Sequence, residues 1–366
     1  MKTTRRRFLQ LSAGASAFNI VPSRVLGRSA PSNTICLGMI GVGGMGVANM
    51  DAFLGMEEVA VRAVCDVNGQ KMRAAQARVD AFYGRRDCEL VSDYRTLCAR
   101  PDIDAVMIAT PDDGHAPIGL FAARQGKDIY GETPFTHTYE EGLALEEAVT
   151  RNGRVWQSGN GQRAEPRFRR AVAAVRSGVI GRVARVEIGL PGGGRGPVCG
   201  SVARGIPDFH WRWLSVCGGG SLADGIGRYG DTALWGAGRS DEPLSVEGQG
   251  EYPRNGCYDT ATAFRFRCAY GDGTELVVAD GGRLEKGIGV RWVGHDGTWV
   301  WVTSGALEAS SPSLLAAMRA LTLEPCAGLH RDFIACVKTR QVTIATAASA
   351  RLAAALGQAG DRAMRG

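Results

Sequence analysis

Short apolar runs alternate with longer helical segments along the first half of the chain. The apolar runs are candidates for strands and read "TICLGMIG", "VAVRAVC", "IDAVMIAT", "DIYGETP" and "RVWQSGN". The segments between them, such as "GHAPIGLFAARQGK" and "TYEEGLALEEAVTRNG", have the length and composition of helices. Strands alternating with helices of about 10–15 residues are typical of βαβ units around a parallel sheet. The pattern therefore predicts a doubly wound α/β domain that ends near Asn160.

The pattern changes in the second half of the chain. A basic helical segment and a glycine-rich stretch come first, and several runs then alternate apolar and polar residues, including "DTATAFRFRCAY", "GVRWVG" and "TWVWVTSG". Such alternation is typical of an antiparallel sheet with one solvated face. Helical segments close the chain. We therefore expect an α/β domain over residues 31–160 and an α+β domain with a largely antiparallel open sheet over residues 161–366, whose last helix is free to pack back on the first domain.

A glycine loop follows the first apolar run and opens a helical segment. Its residues fit the pattern G-x-G-x-x-G and are Gly41, Gly43, Gly44, Met45 and Gly46. In that pattern the glycines permit a tight turn, a close approach to a pyrophosphate and the packing of helix on strand, and the helix N-terminus faces the phosphates. Asp66 ends the next strand, where a carboxylate accepts hydrogen bonds from ribose hydroxyls and repels a 2′-phosphate. The context predicts a Rossmann-type domain that binds NAD, with NADP as the alternative.

The N-terminal 30 residues carry a distinct charge pattern. The segment "TTRRRFLQLSAGASAFNIV" joins a basic region with a twin arginine to a modest apolar run, which is typical of a twin-arginine export signal. A disordered basic N-terminus is the alternative. We expect residues 1–30 to engage the twin-arginine export machinery, which would deliver the protein to the periplasm or outside the cell. If the signal is not cleaved, it would anchor the protein to the membrane. These 30 residues contain six basic and no acidic residues, so their charge equals the net charge of +6 of the whole chain. The rest of the chain is therefore neutral overall and has no excess positive charge to attract nucleic acid.

The cysteine pattern gives no metal site. The ten cysteines are scattered without a C-x-x-C pair, and no zinc or iron–sulfur spacing occurs. We therefore expect no metal. An open sheet with apolar positions on both faces suits a homo-oligomer.

Seven motifs occur along the chain from residue 41 onward: "GVGGMG", "CDVN", "ATPDDGHAPI", "GKDIYGETPFTHT", "GRVWQSGNGQR", "FHWRW" and "GGGSLADGIGRYGDTALWG". Through them the chain resembles, from residue 41 to its C-terminus, the glucose–fructose oxidoreductase / inositol dehydrogenase / rhizopine catabolism (Gfo/Idh/MocA) family of sugar dehydrogenases, and its exported branch in particular. The resemblance implies a carbohydrate substrate and contacts at the nicotinamide end of the cofactor by Ala109, Thr110, Pro111, His115 and Glu132.

Two chemical positions depart from the family pattern. The family's Glu-Lys-Pro is Glu132-Thr133-Pro134 here, and the His of its second motif is Arg228. In the family that His acts as the base, held by the Asp that corresponds to Asp224, and the Lys assists. Arg228 cannot be a base at physiological pH because a guanidinium does not deprotonate, and the Thr133 hydroxyl is a poor acid or base. Losing a positioned base typically costs on the order of 10²–10⁴ in rate.

Several roles stay open for the residues around these positions. The i,i+4 spacing of Asp224 and Arg228 predicts an ion pair on a helix, although Arg228 could instead bind an anionic substrate such as a uronate. His210 is the alternative base, or else a core histidine, and Trp211 beside it offers a wall for stacking a sugar. By resemblance, the remaining candidates for substrate contact are Arg163 and Asp231.

The sequence thus favours an enzyme, an NAD(P)-dependent oxidoreductase that acts on a sugar, polyol or sugar acid by hydride transfer with an altered proton relay. Two alternatives remain. One is a glycosidase that uses NAD for transient oxidation and elimination, and the other is a non-catalytic relative that binds nucleotide or sugar.

Overall fold

The computed structural model describes residues 34–192 and 211–366. The export signal predicted for residues 1–30 and the candidate base His210 therefore lie outside the described residues. Within the two described ranges, no helix combines the length and apolar character needed to cross a bilayer.

The first sheet contains six strands, all parallel. They are β1 (Ile35–Ile40), β2 (Val59–Cys65), β3 (Glu89–Leu90), β4 (Ala105–Ile108), β5 (Asp128–Gly131) and β6 (Trp156–Ser158). Their order across the sheet is β3-β2-β1-β4-β5-β6. This is the order of a dinucleotide-binding fold, in which the direction of winding reverses beside β1 and ligands bind at the carboxyl ends of the strands. The predicted doubly wound domain is confirmed.

Five helices connect these strands and cover both faces of the sheet. They are α1 (Gly44–Leu54), α2 (Gly69–Tyr83), α3 (Tyr94–Cys98), α4 (Asp112–Arg124) and α5 (Tyr139–Arg151). Side chains fix where some of them begin. Asn68 accepts hydrogen bonds from two backbone N–H groups at the start of α2, and Thr138 forms a reciprocal capping box with Glu141 at the start of α5. Such caps satisfy N–H groups that have no partner within the helix.

The second sheet contains seven strands. They are β7 (Val183–Leu190), β8 (Ser245–Glu251), β9 (Ala263–Ala269), β10 (Glu275–Asp280), β11 (Gly289–Gly294), β12 (Trp299–Val302) and β13 (Leu307–Ala309). The order is β13-β12-β11-β7-β10-β9-β8, and β7 with β10 is the parallel pair among antiparallel neighbours. Phe264 and Phe266 of β9 are buried whereas Arg265 and Arg267 between and after them are exposed. This alternation confirms the predicted antiparallel sheet with one solvated face.

Six helices lie among the described residues of the second half of the chain. They are α6 (Pro166–Arg176), α7 (Gly220–Gly225), α8 (Asp231–Ala237), α9 (Pro312–Ala320), α10 (Leu329–Thr339) and α11 (Ala347–Arg365). A π-helical turn over Ile226–Gly230 joins α7 to α8. Helices α10 and α11 return to the first domain: Phe333 packs in one of its cores with Phe53, and Ala354 packs in the other with Phe135. The last helix therefore spans both halves of the molecule.

A buried ion pair connects the end of the first sheet to the helices of the second domain. Asp231, at the start of α8, accepts two hydrogen bonds of 2.6 Å from the Nε and Nη2 atoms of Arg163 and one of 2.6 Å from the side-chain amide of Asn160. The side chains of Arg163 and Asp231 are only 11% and 4% exposed. Arg163 also donates from Nη1 to the carbonyl oxygen of Ile344. Because both charges are paired and hydrogen-bonded, their burial is tolerated.

We expect Asp231→Asn to lower the free energy of unfolding by about 3–5 kcal/mol, because the substitution leaves the buried Arg163 guanidinium without its counter-charge. Urea denaturation of the purified protein measures the effect. The control is Glu147→Gln, which removes the exposed i,i+4 pair between Glu147 and Arg151 and should change stability by less than about 0.5 kcal/mol. Equal effects of the two substitutions would contradict the structural role given to the Arg163–Asp231 pair.

Candidate functional site

The glycine loop that follows β1 leaves room for a phosphate at its tip. A Cβ atom on Gly41, whose φ is 83°, would lie 2.5 Å from the carbonyl oxygen of Ala109, and one on Gly46 would lie 1.9 Å from the carbonyl oxygen of Gly41. These two glycines are therefore required by close backbone approach. At Gly43 and Gly44 a Cβ would meet no heavy atom within 4 Å. The absence of side chains there keeps open the space in front of helix α1, where a pyrophosphate would lie.

Asp66 holds the loop in position from the end of β2. Its Oδ2 atom accepts a 2.8 Å hydrogen bond from the backbone N–H of Val42, and its Oδ1 atom accepts one of the same length from Asn68. A carboxylate has about four acceptor sites, so capacity remains for ribose hydroxyls. The loop and this carboxylate fit NAD: the N–H groups at the start of α1, where Met45 is exposed, would hold the pyrophosphate and Asp66 the ribose. When bound, NAD supplies a hydride acceptor.

His115 joins the two segments predicted to surround the nicotinamide. The side chain is buried, with Nδ1 2.7 Å from the carbonyl oxygen of Pro134 and Nε2 3.1 Å from that of Thr110. Burial lowers the pKa of this imidazole, and a neutral imidazole has a single N–H. The shorter contact to Pro134 is therefore the hydrogen bond. His115 ties the Ala109–Pro111 segment to the Glu132–Pro134 segment, and its predicted place at the nicotinamide end stays a prediction.

Glu132 is held by a chain of hydrogen bonds that the sequence pattern did not reveal. Its Oε1 atom accepts a 2.7 Å bond from the amide of Asn49, and the oxygen of that amide lies 2.7 Å from Nε2 of His330 on α10. Burial raises the pKa of Glu132 and lowers the pKa of His330 to about 4. A neutral His330 thus donates from Nε2 to Asn49, which orients the amide to donate to Glu132. His330 also stacks on the ring of Tyr130, with centroids 4.9 Å apart.

Thr133 contacts the second domain directly. A Cβ atom on Gly227, in the π-helical turn, would lie 2.9 Å from Cβ of Thr133 and 3.4 Å from Cα of Pro134. Only a glycine allows this approach without displacement. The contact brings the residue in the family's Lys position against the turn that carries Arg228. The structure therefore brings together, across the domain boundary, the two positions that depart from the family pattern.

A charged cluster lies on the same turn. Asp224 accepts a 2.8 Å hydrogen bond from Nη2 of Arg228, so the ion pair predicted from the i,i+4 spacing is present. Its other oxygen accepts a 2.7 Å bond from Nη1 of Arg212, a residue that the sequence reasoning passed over within "FHWRW". The Nε atom of Arg228 is buried and has no hydrogen-bond partner among the described residues. The cluster has one more positive than negative charge and an N–H group to offer to a ligand.

The other residues predicted to contact substrate have partners within the protein. Trp211 lies beside the charged cluster, where the guanidinium of Arg212 is 4.8 Å from its ring centre. Arg163 and Asp231 are bound to each other in the buried ion pair described above, and the amide of Asn160 lies 3.4 Å from the carbonyl oxygen of Arg228. These contacts show that Arg163 and Asp231 support the turn that carries Arg228. Their predicted contact with a substrate stays a prediction.

Comparison with known proteins identifies the first domain. Residues 35–160 match a family model described as the GFO_IDH_MocA oxidoreductase family with an NAD-binding Rossmann fold. A glycosyl hydrolase family 109 protein of Saccharopolyspora erythraea is 37% identical over 111 residues, which are 30% of this chain and 24% of that protein. An alpha-N-acetylgalactosaminidase of Shewanella oneidensis is 33% identical over 144 residues, 36% of this chain and 30% of that protein. The matches thus span less than a third of the length of these curated relatives.

Solved structures extend the likeness to both domains at the level of the fold. GenD2 from gentamicin A biosynthesis, in complex with NAD, covers 91% of this chain and 95% of its own with a TM-score of 0.69 and 18% identity. An aldose–aldose oxidoreductase from Caulobacter crescentus, complexed with glycerol, covers 91% and 98% with a TM-score of 0.68 and 19% identity. The match over residues 35–160 confirms, for the first domain, the family suggested by the sequence motifs: this domain is an NAD-binding Rossmann domain of the Gfo/Idh/MocA oxidoreductase family.

Proposed function

We propose that the protein is an NAD-dependent oxidoreductase that oxidises a hydroxyl group of a carbohydrate, and that sugar acids are its preferred substrates. The observation that carries this proposal is the contact between Thr133 and Gly227. The contact joins the segment predicted to surround the nicotinamide to the π-helical turn that carries Arg228, directly after the helix that carries Asp224. A substrate bound there would touch the cofactor on one side and the charged cluster on the other.

The charged cluster supports a substrate that bears a carboxylate. Both oxygens of Asp224 are occupied by arginines, which leaves excess positive charge on Arg212 and Arg228. The buried Nε–H of Arg228, which has no partner among the described residues, is half of the fork that guanidinium groups use to bind a carboxylate in a bidentate manner. The hydroxyl of Thr133 is suited to bind a neutral oxygen of the same sugar. In this proposal Arg228 orients the substrate, and the proton of the reacting hydroxyl goes to another group.

An NAD-dependent glycosidase is a second candidate. The curated relatives named above are a glycosyl hydrolase family 109 protein and an alpha-N-acetylgalactosaminidase, which supports a reaction in which NAD is reduced and reoxidised within one turnover. The supporting matches cover 30% and 36% of this chain. We rank the glycosidase second because the charged cluster, which we expect to select the substrate, lies in the second domain, outside the family match over residues 35–160.

We also propose that the protein is exported and that it forms a homo-oligomer. The twin-arginine pattern of residues 1–30 supports export to the periplasm. A homo-oligomer would bury apolar positions on the sheet faces.

We expect Gly43→Val to weaken NAD binding by at least about tenfold, or about 1.4 kcal/mol, without loss of stability. A Cβ atom at this position would meet no heavy atom of the described residues within 4 Å, and the valine side chain would extend into the space in front of α1. Isothermal titration calorimetry with NAD measures the affinity, and thermal unfolding checks the fold. Gly305→Val is the matched control, because Gly305 is also surrounded by open space but lies in the second domain. Unchanged NAD affinity in the Gly43 variant would contradict the cofactor site.

We expect Arg228→Gln to lower kcat/KM for a hexuronate about 10- to 100-fold, as for loss of about 1.5–3 kcal/mol of hydrogen bonding to a charged group, and to change kcat/KM for the corresponding neutral aldose much less. Arg151→Gln is the control. Arg151 forms an exposed i,i+4 pair with Glu147 on helix α5, outside the charged cluster, so its loss should leave both substrates unaffected. Equal losses for the acid and the neutral sugar would show that Arg228 does not select a carboxylate.

Product analysis separates the two candidate reactions. We expect incubation with NAD and a hexuronate or aldonate to yield NADH in step with the oxidised sugar, and incubation with nitrophenyl glycosides to release no nitrophenol. Absorbance at the NADH and nitrophenolate bands reports both products in one sample. Nitrophenol release without net NADH would establish the glycosidase instead, and NAD binding without either product would favour the non-catalytic alternative.

A further inference from the structure

The first residue of helix α4 is a buried carboxylate that the family motifs do not assign. Asp112 follows Pro111 directly and is only 2% exposed, whereas the neighbouring Asp113 is exposed. The Oδ2 atom of Asp112 accepts a 3.3 Å hydrogen bond from the backbone N–H of Gly219. The backbone N–H of Asp113 donates to the carbonyl oxygen of Cys217 at 3.2 Å. Asp112 is thus fixed between the nicotinamide segment and the glycine turn that precedes α7.

This carboxylate opens on a cavity between the two domains. The cavity has a volume of about 400 Å³, and its walls include Asp112, Pro134, His137, Ser215 and Thr260. Its size falls within the range of small-molecule sites, about 300–1,000 Å³. The ring of Trp211 is close by, since a Cβ atom on Gly218 would lie 3.0 Å from the ring and 3.2 Å from Oδ2 of Asp112. The carboxylate of Asp112 and the indole of Trp211 therefore both lie close to Gly218, and Asp112 and Gly218 line the cavity.

The charges that face Asp112 do not compensate for its burial. Arg212 acts from the turn before α7 and His137 from the loop after β5, and both lower the pKa of the carboxyl, as does the N–H of Gly219; Asp224 raises it. Burial is the largest effect and raises the pKa of Asp112 to about 7. A group with such a pKa is present in both protonation states at neutral pH, which is the property required of a general base or acid.

We propose that Asp112 takes the hydroxyl proton in the oxidation, the role that Arg228 and Thr133 cannot perform. The inference rests on the proposed function. In the step, the C–H bond of the carbinol carbon breaks and its hydride goes to bound NAD⁺, while the O–H bond breaks and its proton goes to the carboxylate of Asp112. The alcohol is oxidised by two electrons to a carbonyl, and NAD⁺ is reduced to NADH.

Asp112→Asn tests the assignment, with Asp113→Asn as the matched control on the same helix. Asparagine keeps the size of the side chain and an oxygen to accept from Gly219, but it cannot take a proton. We expect kcat for the best sugar substrate to fall by on the order of 10²–10⁴ with the Kd for NAD within about twofold of wild type. The wild-type kcat/KM should rise with pH and level off above about 7, and this inflection should be lost in Asp112→Asn and kept in Asp113→Asn.

A second readout does not depend on activity. An unfolded aspartate has a pKa of about 3.9, so the folded protein binds the Asp112 proton more tightly than the unfolded chain. The free energy of unfolding therefore contains a contribution that falls as pH rises between about 4 and 7. We expect the thermal midpoint of Asp112→Asn to rise relative to wild type between pH 5 and pH 8, and that of Asp113→Asn to run parallel to wild type.

The outcomes distinguish this inference from the proposed function. If the wild type binds NAD but oxidises no carbohydrate, the proposed function falls and the inference with it. If the wild type oxidises a sugar and Asp112→Asn keeps the wild-type rate and pH profile, the inference alone is overturned. The inference would also be overturned if Asp112→Asn lost activity but its thermal midpoint did not rise relative to wild type between pH 5 and pH 8. Asp112 would then not bind a proton in the folded protein in this pH range.

Discussion

The buried ion pair between Arg163 and Asp231 is the interaction on which the candidate site depends. Arg163 lies just after the last strand of the Rossmann sheet, and Asp231 is the first residue of α8. Asp231 directly follows the π-helical turn that carries Gly227 and Arg228. Holding the carboxylate of Asp231 in place therefore also fixes the distance between this turn and Thr133. Because a buried charge tolerates neither loss of its partner nor contact with an apolar group, the two domains meet in one arrangement.

The two domains contribute different kinds of charge to the cleft between them. The second domain provides Arg212 and Arg228, which share the carboxylate of Asp224. The Rossmann domain provides the half-buried Glu132 and the buried Asp112, and removal from solvent raises the pKa values of both. Groups that can bind an anion therefore come from the second domain, and groups that can hold a proton come from the first. Such a separation suits a reaction in which the substrate is held by its charge at one end and loses a proton at the other.

The sequence predicted the parts of the site that depend on local chemistry. The loop from Gly41 to Gly46 and the carboxylate of Asp66 belong to a strand–turn–helix pattern, and a segment of about 30 residues is enough to recognise that pattern. The Asp224–Arg228 pair follows from helical spacing in the same way. The contact between Asn49 and His330 joins residues 281 positions apart, and no local pattern encodes such a contact. The sequence did not predict a role for Asp112 either, because that role depends on the burial of its carboxylate in the folded chain.

The return of α10 to the first domain has a consequence for how the protein forms. Phe53 and Tyr130, in the core beneath the nucleotide loop, are packed against Phe333 and His330 of α10, which follows the strands of both sheets in the sequence. During synthesis this core therefore stays open until the ribosome has made α10. Contacts between residues so distant in sequence are also slow to form, because closing a long loop costs entropy before the contact compensates for it. The Rossmann sheet precedes the second sheet in the sequence, but the core beneath its nucleotide loop is completed only after the second sheet has been made.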